Sequence, residues 1–182
     1  MLQSITKISL SEFLAQPNIE ASPAWELIEG RAIQKIMPTL FHSRLQRNLV
    51  NYINQRTGQF EVMQFEAIQE LRCIVPPYSP VPDIAIVECE RLPSEDGPLN
   101  GAPDWLIEIR SPDQSTLDLQ NKILHCLRQE TKLAWLIDLN RRRIWVWQGE
   151  ELPIIFSEIQ YLPDLDLQLE LTVDAVMGMV QR

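Results

Sequence analysis

Two carboxylates stand in or beside strongly apolar segments, and they are the residues of this chain best placed to do chemistry. Asp83 directly precedes the apolar run 84–87, and Glu108 lies in the run 105–109. A segment that is apolar at nearly every position is typical of a strand buried on both faces. A charged carboxylate is costly there unless a cation or hydrogen-bond donors bind it. Because hard divalent cations prefer oxygen ligands, this pair predicts a divalent-metal site where the two strand ends meet.

A lysine further along the chain is suited to join these carboxylates. Lys122 belongs to the segment 116–129, whose apolar residues recur at helical spacing. A helix that follows a strand packs back against the sheet, and the long stem of a lysine can carry its ammonium towards the strand end. We therefore expect Asp83, Glu108 and Lys122 to meet at one edge of the sheet. Two carboxylates and a lysine are suited to cleaving a phosphodiester bond.

The segments that position these residues alternate between helix and strand patterns, which predicts an α/β (α+β) fold with a mixed central sheet flanked by helices. We expect one domain over residues 1–182, with a core at about 25–147. Residues 1–24 form a lead-in with a helix, and residues 148–182 add a strand and a short helix. The predicted helices cover residues 8–14, 40–56, 116–129 and 173–179; the predicted strands cover residues 25–28, 31–37, 61–65, 67–75, 84–87, 104–110, 133–139, 143–147 and 166–170.

The composition argues against several functional classes. A net charge of −9 over 182 residues argues against a protein that coats nucleic acid nonspecifically, although an enzyme that uses one metal-neutralised site remains open. The sequence has neither an apolar run of membrane-spanning length nor a signal-peptide pattern, so we expect a cytoplasmic protein without a membrane partner. Cys73, Cys89 and Cys126 are isolated and odd in number, which favours a reducing compartment and argues against structural zinc.

An ordered set of short motifs resembles the Uma-type group of bacterial endonucleases in the PD-(D/E)XK nuclease superfamily. The resemblance implies a restriction endonuclease-like fold and hydrolysis of DNA phosphodiester bonds with Mg²⁺ or Mn²⁺. It also implies a homodimer, because this fold often cuts two strands with two sites. The motifs extend over about residues 25–147 and comprise residues 25–30, residues 38–49 with His42, Pro82–Asp83, residues 108–112, Lys122 and residues 134–138.

The resemblance assigns roles to individual residues. Asp83, Glu108 and the carbonyl group of Ile109 would ligate the metal, and Lys122 would orient the water or stabilise the transition state. The usual superfamily motif has a lysine two residues after the glutamate, where this chain has Arg110. Because a guanidinium group does not deprotonate, Arg110 is predicted to hold a phosphate rather than to act as a base.

Two departures from the family pattern leave a second hypothesis open. Cys126 stands where the family usually has a tyrosine, and residues 130–131 replace its usual Gly-Val turn. A chain with these changes could be a nuclease-fold protein with weak or no catalysis that acts as a nucleic-acid-binding or assembly module. Metal binding that depends on Glu108 is the property that separates the two hypotheses.

Several candidate residues also have simpler explanations. Asp104 follows a proline and shares the strand face of Glu108, which makes it a rival to Asp83 as a metal ligand. Glu29 lies at a predicted hairpin turn, where solvated carboxylates are common. His42 lies near a helix start, where a capping or surface role is ordinary. Lys122 lies four residues after Asp118, so an exposed ion pair on the helix is its simplest alternative.

Overall fold

A mixed six-stranded sheet forms the centre of the molecule, with helices packed against it. The computed structural model describes residues 7–60, 64–112, 114–149 and 152–181. The helices are α1 (Leu10–Leu14), α2 (Leu40–Thr57), α3 (Thr116–Leu127) and α4 (Val173–Gly178). The strands are β1 (Trp25–Ile28), β2 (Arg31–Gln34), β3 (Phe65–Gln69), β4 (Cys73–Ile74), β5 (Ile84–Glu88), β6 (Leu99–Asn100), β7 (Trp105–Ile109), β8 (Leu133–Asp138), β9 (Arg143–Trp147) and β10 (Ile154–Ser157).

The strand order brings the two carboxylate-bearing segments together. The central sheet runs β10-β9-β8-β7-β5-β3, with β7 and β8 parallel and the other neighbours antiparallel. Ile84 of β5 lies opposite Ile107 of β7, so one further step along each strand sets Asp83 against Glu108. The predicted mixed sheet flanked by helices is therefore confirmed, and its register explains why the two strand ends meet.

Both faces of the central sheet are covered, which is why β5 and β7 are apolar at almost every position. Trp105 and Trp135 pack edge to face on one side, with ring centroids 4.7 Å apart, next to residues of α2 and α4. On the other side α3 contributes Ile123 and Cys126 to a second apolar cluster. Burial on two faces leaves no solvent to stabilise a charge that enters this sheet. Among the described residues, no helix is long and apolar enough to cross a membrane.

Side-chain caps fix where the helices that flank the site begin. The hydroxyl group of Thr39 accepts a hydrogen bond from the backbone N–H of His42 at the start of α2, and Ser115 does the same for Asp118 at the start of α3. At the other end of α2, the side-chain amide of Asn54 makes two hydrogen bonds of 2.8 Å to the backbone of Ala67 in β3. Helix α2 is thus attached to the sheet along its length.

Two strand predictions were wrong for reasons of backbone conformation. We predicted that residues 61–65 and 67–75 form strands of a hairpin or meander, but β3 ends at Gln69, and β4 pairs in parallel with β6 in a separate small sheet. Residues 61–63 lie outside the described residues. A turn follows β3, with Glu70 at a φ of 50°, and interrupts the second predicted strand.

The predicted strand over 166–170 is an irregular segment in the structure. Asp166, Gln168 and Glu170 have positive φ angles, and a strand does not accommodate this backbone conformation. The leucines between them are buried, so the alternation of apolar residues correctly indicated burial but not strand geometry. The side chain of Asp164 accepts hydrogen bonds from two backbone N–H groups of this segment. Strand β10, at the sheet edge, was not predicted.

A buried arginine attaches the segment before β1 to the rest of the fold. Arg72 donates hydrogen bonds to the carbonyl groups of Ile19 and Trp25, at 3.0 and 2.8 Å, and to the hydroxyl group of Ser79 at 3.1 Å. It also forms an ion pair with Glu20. Because Trp25 is the first residue of β1, this arginine helps to hold the β1–β2 hairpin in position.

Replacing Arg72 tests this attachment. We expect Arg72→Met to lower the free energy of unfolding by about 2–4 kcal/mol, because buried carbonyl groups lose their donors. Urea unfolding followed by tryptophan fluorescence measures the change. Arg56→Met is the matched control, since Arg56 also donates to a backbone carbonyl group but is one-third exposed. Equal losses in the two variants would contradict the assignment.

Candidate active site

Charged side chains from several separate elements meet in the interior, beside the facing ends of β5 and β7. Asp83 and Glu108 are 3% and 1% exposed, and Lys122 of α3 is 2% exposed. Two residues that the sequence analysis did not select complete the cluster, Glu26 of β1 and Lys35, which follows β2. Three carboxylates and two ammonium groups are thus buried together, which requires that they compensate one another.

Asp83 is held at both of its carboxylate oxygens. Oδ2 accepts a 2.7 Å hydrogen bond from the backbone N–H of Ile109 and lies 3.4 Å from Nε2 of His42. Oδ1 accepts a 2.8 Å hydrogen bond from the ammonium group of Lys35. The backbone carbonyl group of Asp83 accepts a 2.7 Å hydrogen bond from the side chain of Gln46. Both His42 and Gln46 belong to α2, so this helix positions both the backbone and the side chain of Asp83.

Lys122 connects two of the carboxylates. Its Nζ lies 2.8 Å from Oε1 of Glu108 and 2.8 Å from Oε1 of Glu26. The same oxygen of Glu26 accepts a 2.7 Å hydrogen bond from the backbone N–H of Val81. The simpler explanation for Lys122, an exposed ion pair with Asp118, does not hold, because the lysine is buried and Asp118 pairs with Arg31 instead. The structure thus brings together Asp83, Glu108 and Lys122.

Burial and the charges of neighbouring groups act on the pKa values of these residues, and the two effects largely oppose each other. Burial raises the pKa of Glu108 to about 7, with Lys122 opposing the shift and Asp83 adding to it. Burial would also raise the pKa of Asp83, but Lys35 and His42 outweigh it and lower that pKa. For Lys122, burial acts to lower the pKa, and the combined charges of Glu108, Glu26 and Asp83 raise it above the ordinary value. The lysine is therefore a cation at neutral pH.

Of the two cluster residues that the sequence did not predict, one carries a recognisable sequence pattern and the other does not. Glu26 carries the same signal as Asp83 and Glu108, a carboxylate within an apolar strand, and could have been found by that criterion. Lys35 follows a partly exposed strand and looks like an ordinary surface lysine. Its partner Asp83 lies 48 positions further along the chain, and only the docking of the hairpin brings the two together.

The structure separates Asp104 from the cluster. It lies just before the first residue of β7, four positions and so about 13 Å along the strand from Glu108. Its oxygens are taken by Arg91 at 2.6 Å, by Lys132 at 3.1 Å and by the backbone N–H of Glu88 at 2.9 Å. Asp104 is therefore not a rival of Asp83, because a shared strand face does not bring opposite strand ends together.

The remaining candidates lie at the edge of the cluster or away from it. Arg110 donates hydrogen bonds of 3.1 Å to Asp138 and to Thr116, and it lines a cavity of about 220 Å³ together with His42. Glu29 lies in the hairpin turn with a φ of 53° and approaches Arg31 at 3.5 Å, in keeping with its simpler explanation as a solvated turn residue. His42 is buried and contacts Asp83, so it is not a surface residue.

The donor chemistry of the cluster fits a hard divalent cation. Asp83 and Glu108 offer carboxylate oxygens, which Mg²⁺ and Mn²⁺ prefer. The ammonium group of Lys122 lies 2.8 Å from Oε1 of Glu108. A carboxylate oxygen has two acceptor positions, so this contact leaves one on Oε1 that a metal cation could take. Within the described ranges, however, no group of three or more His, Cys, Asp or Glu side chains is already arranged around a metal position.

Comparison with known proteins identifies relatives of this chain. The Uma2 family, described as "Putative restriction endonuclease", matches residues 10–174. A crystal structure from Anabaena variabilis ATCC 29413, described as "a putative nuclease belonging to DUF820", is similar with a TM-score of 0.86 and 36% sequence identity. The similarity covers 95% of this chain and 99% of that one. No curated protein matches the sequence.

The raised pKa of Glu108 predicts an unusual pH dependence of stability. Its pKa is about 7 in the folded protein against an ordinary 4.5, so the folded state holds this proton more tightly than the unfolded state. The free energy of unfolding should then fall as the pH rises from 5 to 8, by at most about 3 kcal/mol. Urea unfolding in the presence of EDTA measures the profile.

Two variants separate this effect from other titrations. Glu108→Gln cannot ionise and should remove the decline between pH 5 and 8. Glu88→Gln is the control and should retain it, because Glu88 is a partly exposed strand residue paired with Lys132. Profiles of equal slope for the wild type and Glu108→Gln would contradict the assignment.

Proposed function

The chain belongs to the Uma2 restriction endonuclease family, and we propose that it is a divalent-metal-dependent endonuclease that hydrolyses DNA phosphodiester bonds. The family and the structural relative both indicate a nuclease-like function, with nucleic acid as the substrate. The dependence on Mg²⁺ or Mn²⁺ and the choice of DNA are the finer parts of the proposal.

One observation carries the proposal. Two carboxylates from facing strand ends are buried beside a lysine cation, whose ammonium group lies 2.8 Å from Oε1 of Glu108. A fold that needed only stability would gain by replacing such a cluster with apolar residues, since buried ion pairs contribute little net stability. The cluster is therefore best explained by chemistry that requires these charges.

Four residues of the cluster have a proposed task. Asp83, Glu108 and the carbonyl group of Ile109 would hold Mg²⁺ or Mn²⁺, which neutralises phosphate charge and lowers the pKa of a bound water. Lys122 stabilises negative charge on the phosphoryl group as a cation, because its raised pKa makes it a poor base. Glu26 forms the second ion pair of this lysine and so helps to fix its position.

Residues at the edge of the cluster are proposed to contact the substrate. Arg110 lines the cavity next to His42, and its guanidinium group can bind a phosphate with two parallel hydrogen bonds. Binding would compete with its present contacts to Asp138 and Thr116. The net charge of −9 implies that DNA is held by a few local contacts of this kind rather than by the surface as a whole.

A second candidate function is favoured by the closed state of the cluster. Asp83 and Glu108 are almost fully buried, and Lys35 occupies one oxygen of Asp83. Cys126, at the position where the family usually has a tyrosine, is also buried. A nuclease fold with a closed site could serve as a nucleic-acid-binding or assembly module without turnover.

A cleavage assay on supercoiled plasmid distinguishes the two functions. With Mg²⁺ or Mn²⁺ we expect nicking and linearisation by the wild type, and rates at least about 100-fold lower for Glu108→Gln and Lys122→Met. Lys132→Met is the control, since Lys132 is an exposed lysine that directly precedes β8 and pairs with Asp104, away from the cluster. Absence of cleavage with either metal would support the non-catalytic module, and full activity in Glu108→Gln would refute the site.

The same assay tests sequence preference, and a mass measurement tests assembly. We expect cleavage ends spread over many sequences, because few loops of the chain are suited to reading bases; a defined recognition site would refute this.

We also propose one domain over residues 1–182 that forms a homodimer, which supplies one site for each DNA strand. Sedimentation equilibrium should give twice the chain mass, and a monomer at assay concentrations would contradict the dimer.

A further inference from the structure

The ammonium group of Lys35 is bound in a way that resembles the binding of a metal ion. Its Nζ lies 2.8 Å from Oδ1 of Asp83 and 2.9 Å from the carbonyl oxygen of Val81, with Oε1 of Glu70 at 3.7 Å. Carboxylate and carbonyl oxygens are the ligands that hard cations take in proteins. Lys35 thus supplies, from within the chain, a cation next to the candidate metal ligand.

This lysine also lies between the buried carboxylate and the surface. Its side chain is 8% exposed, whereas Asp83 is almost fully buried and Glu70 is 45% exposed. The other oxygen of Asp83 is bound by the backbone N–H of Ile109 and approached by His42. Oδ1 is therefore the oxygen that a metal ion could take with the least disruption, provided that Lys35 moves away.

The charge balance of the cluster also indicates that Lys35 must move away when a divalent cation binds. With all groups ionised, three carboxylates face two ammonium groups, and one negative charge remains. A divalent cation that entered with Lys35 in place would leave an excess positive charge in an apolar interior, which is costly. If Lys35 withdraws as the cation enters, the cluster becomes neutral.

We propose that Lys35 is a built-in counter-ion of Asp83 that closes the metal site, and that a divalent cation binds by displacing its ammonium group towards Glu70. The inference rests on the proposed metal-dependent function. Glu70 is suited to receive the ammonium group, because it follows the last residue of β3, is partly exposed and already lies 3.7 Å away. Metal affinity is then set by a competition between two cations for one carboxylate oxygen.

Direct metal binding tests the competition without reference to activity. Isothermal titration of the purified protein with Mn²⁺, and separately with Mg²⁺, should show affinity about 10-fold or more tighter for Lys35→Met than for the wild type. Glu70→Gln should bind more weakly, because the displaced ammonium group loses its second partner. Lys35→Met affinity equal to or weaker than that of the wild type would overturn the proposal.

A matched control separates displacement from a general change in charge. Arg31→Met removes a positive charge from the first residue of β2, four positions before Lys35, but Arg31 pairs with Glu29 and Asp118 rather than with Asp83. We expect its metal affinity to stay close to that of the wild type. An increase as large as that of Lys35→Met would show that charge alone sets the affinity and would overturn the displacement.

The movement of Lys35 can be followed in the unmodified protein. Amine acetylation read by mass spectrometry should be slow at Lys35 without metal and several-fold faster with saturating Mg²⁺, while Lys132, which is half exposed, should react at the same rate in both. An unchanged rate at Lys35 under metal saturation would overturn the proposal. This measurement needs no variant and so does not depend on whether Lys35→Met folds.

The outcomes also separate this inference from the proposed function. Tighter metal binding by Lys35→Met in a protein that never cleaves DNA would support the counter-ion and refute the nuclease activity. Cleavage that requires Glu108, combined with unaltered metal affinity in Lys35→Met, would support the nuclease and refute the counter-ion.

Discussion

Three carboxylates that enter an apolar interior must each be compensated there, because water does not reach them. In this protein the compensation comes from outside the central sheet. Lys122 arrives on α3 and Lys35 at the end of the β1–β2 hairpin, while α2 supplies His42 to Asp83. The position of each surrounding element is therefore fixed by a charge that the sheet presents to it, and an error in docking would leave that charge uncompensated.

This dependence joins stability to function in a specific way. The contacts that stabilise the buried charges occupy oxygen atoms that are proposed to bind the metal. The clearest case is Oδ1 of Asp83, which accepts a hydrogen bond from Lys35. The raised pKa of Glu108 shows that its compensation is incomplete. A cluster of this kind is stable enough to fold and retains a capacity to bind a cation.

The sequence was sufficient for the parts that depend on local pattern and insufficient for those that depend on docking. Apolar runs around Asp83 and Glu108 correctly indicated buried strands, and helical spacing correctly placed Lys122 on a helix. The spacing did not show that Lys122 lies on the buried side of that helix. The role of Lys35 could not be predicted from the sequence, because its ion pair with Asp83 forms only when the β1–β2 hairpin docks against the sheet. The prediction of Asp104 as a rival metal ligand was based on strand alternation. Alternation defines which face of the sheet a residue lies on, but not how far it is from the site along the strand. The leucines between residues 164 and 171 misled because burial does not fix backbone conformation.

Helix α2 bonds to the sheet at two places along its length, through Asn54 to the backbone of Ala67 and through Gln46 and His42 to Asp83. The number of residues between the two attachments is consequently fixed. One residue inserted between these attachments would rotate one set by about 100° relative to the other and detach either the edge strand or the carboxylate. An insertion or deletion within this helix should therefore disrupt the fold as much as the loss of one of the charged residues does.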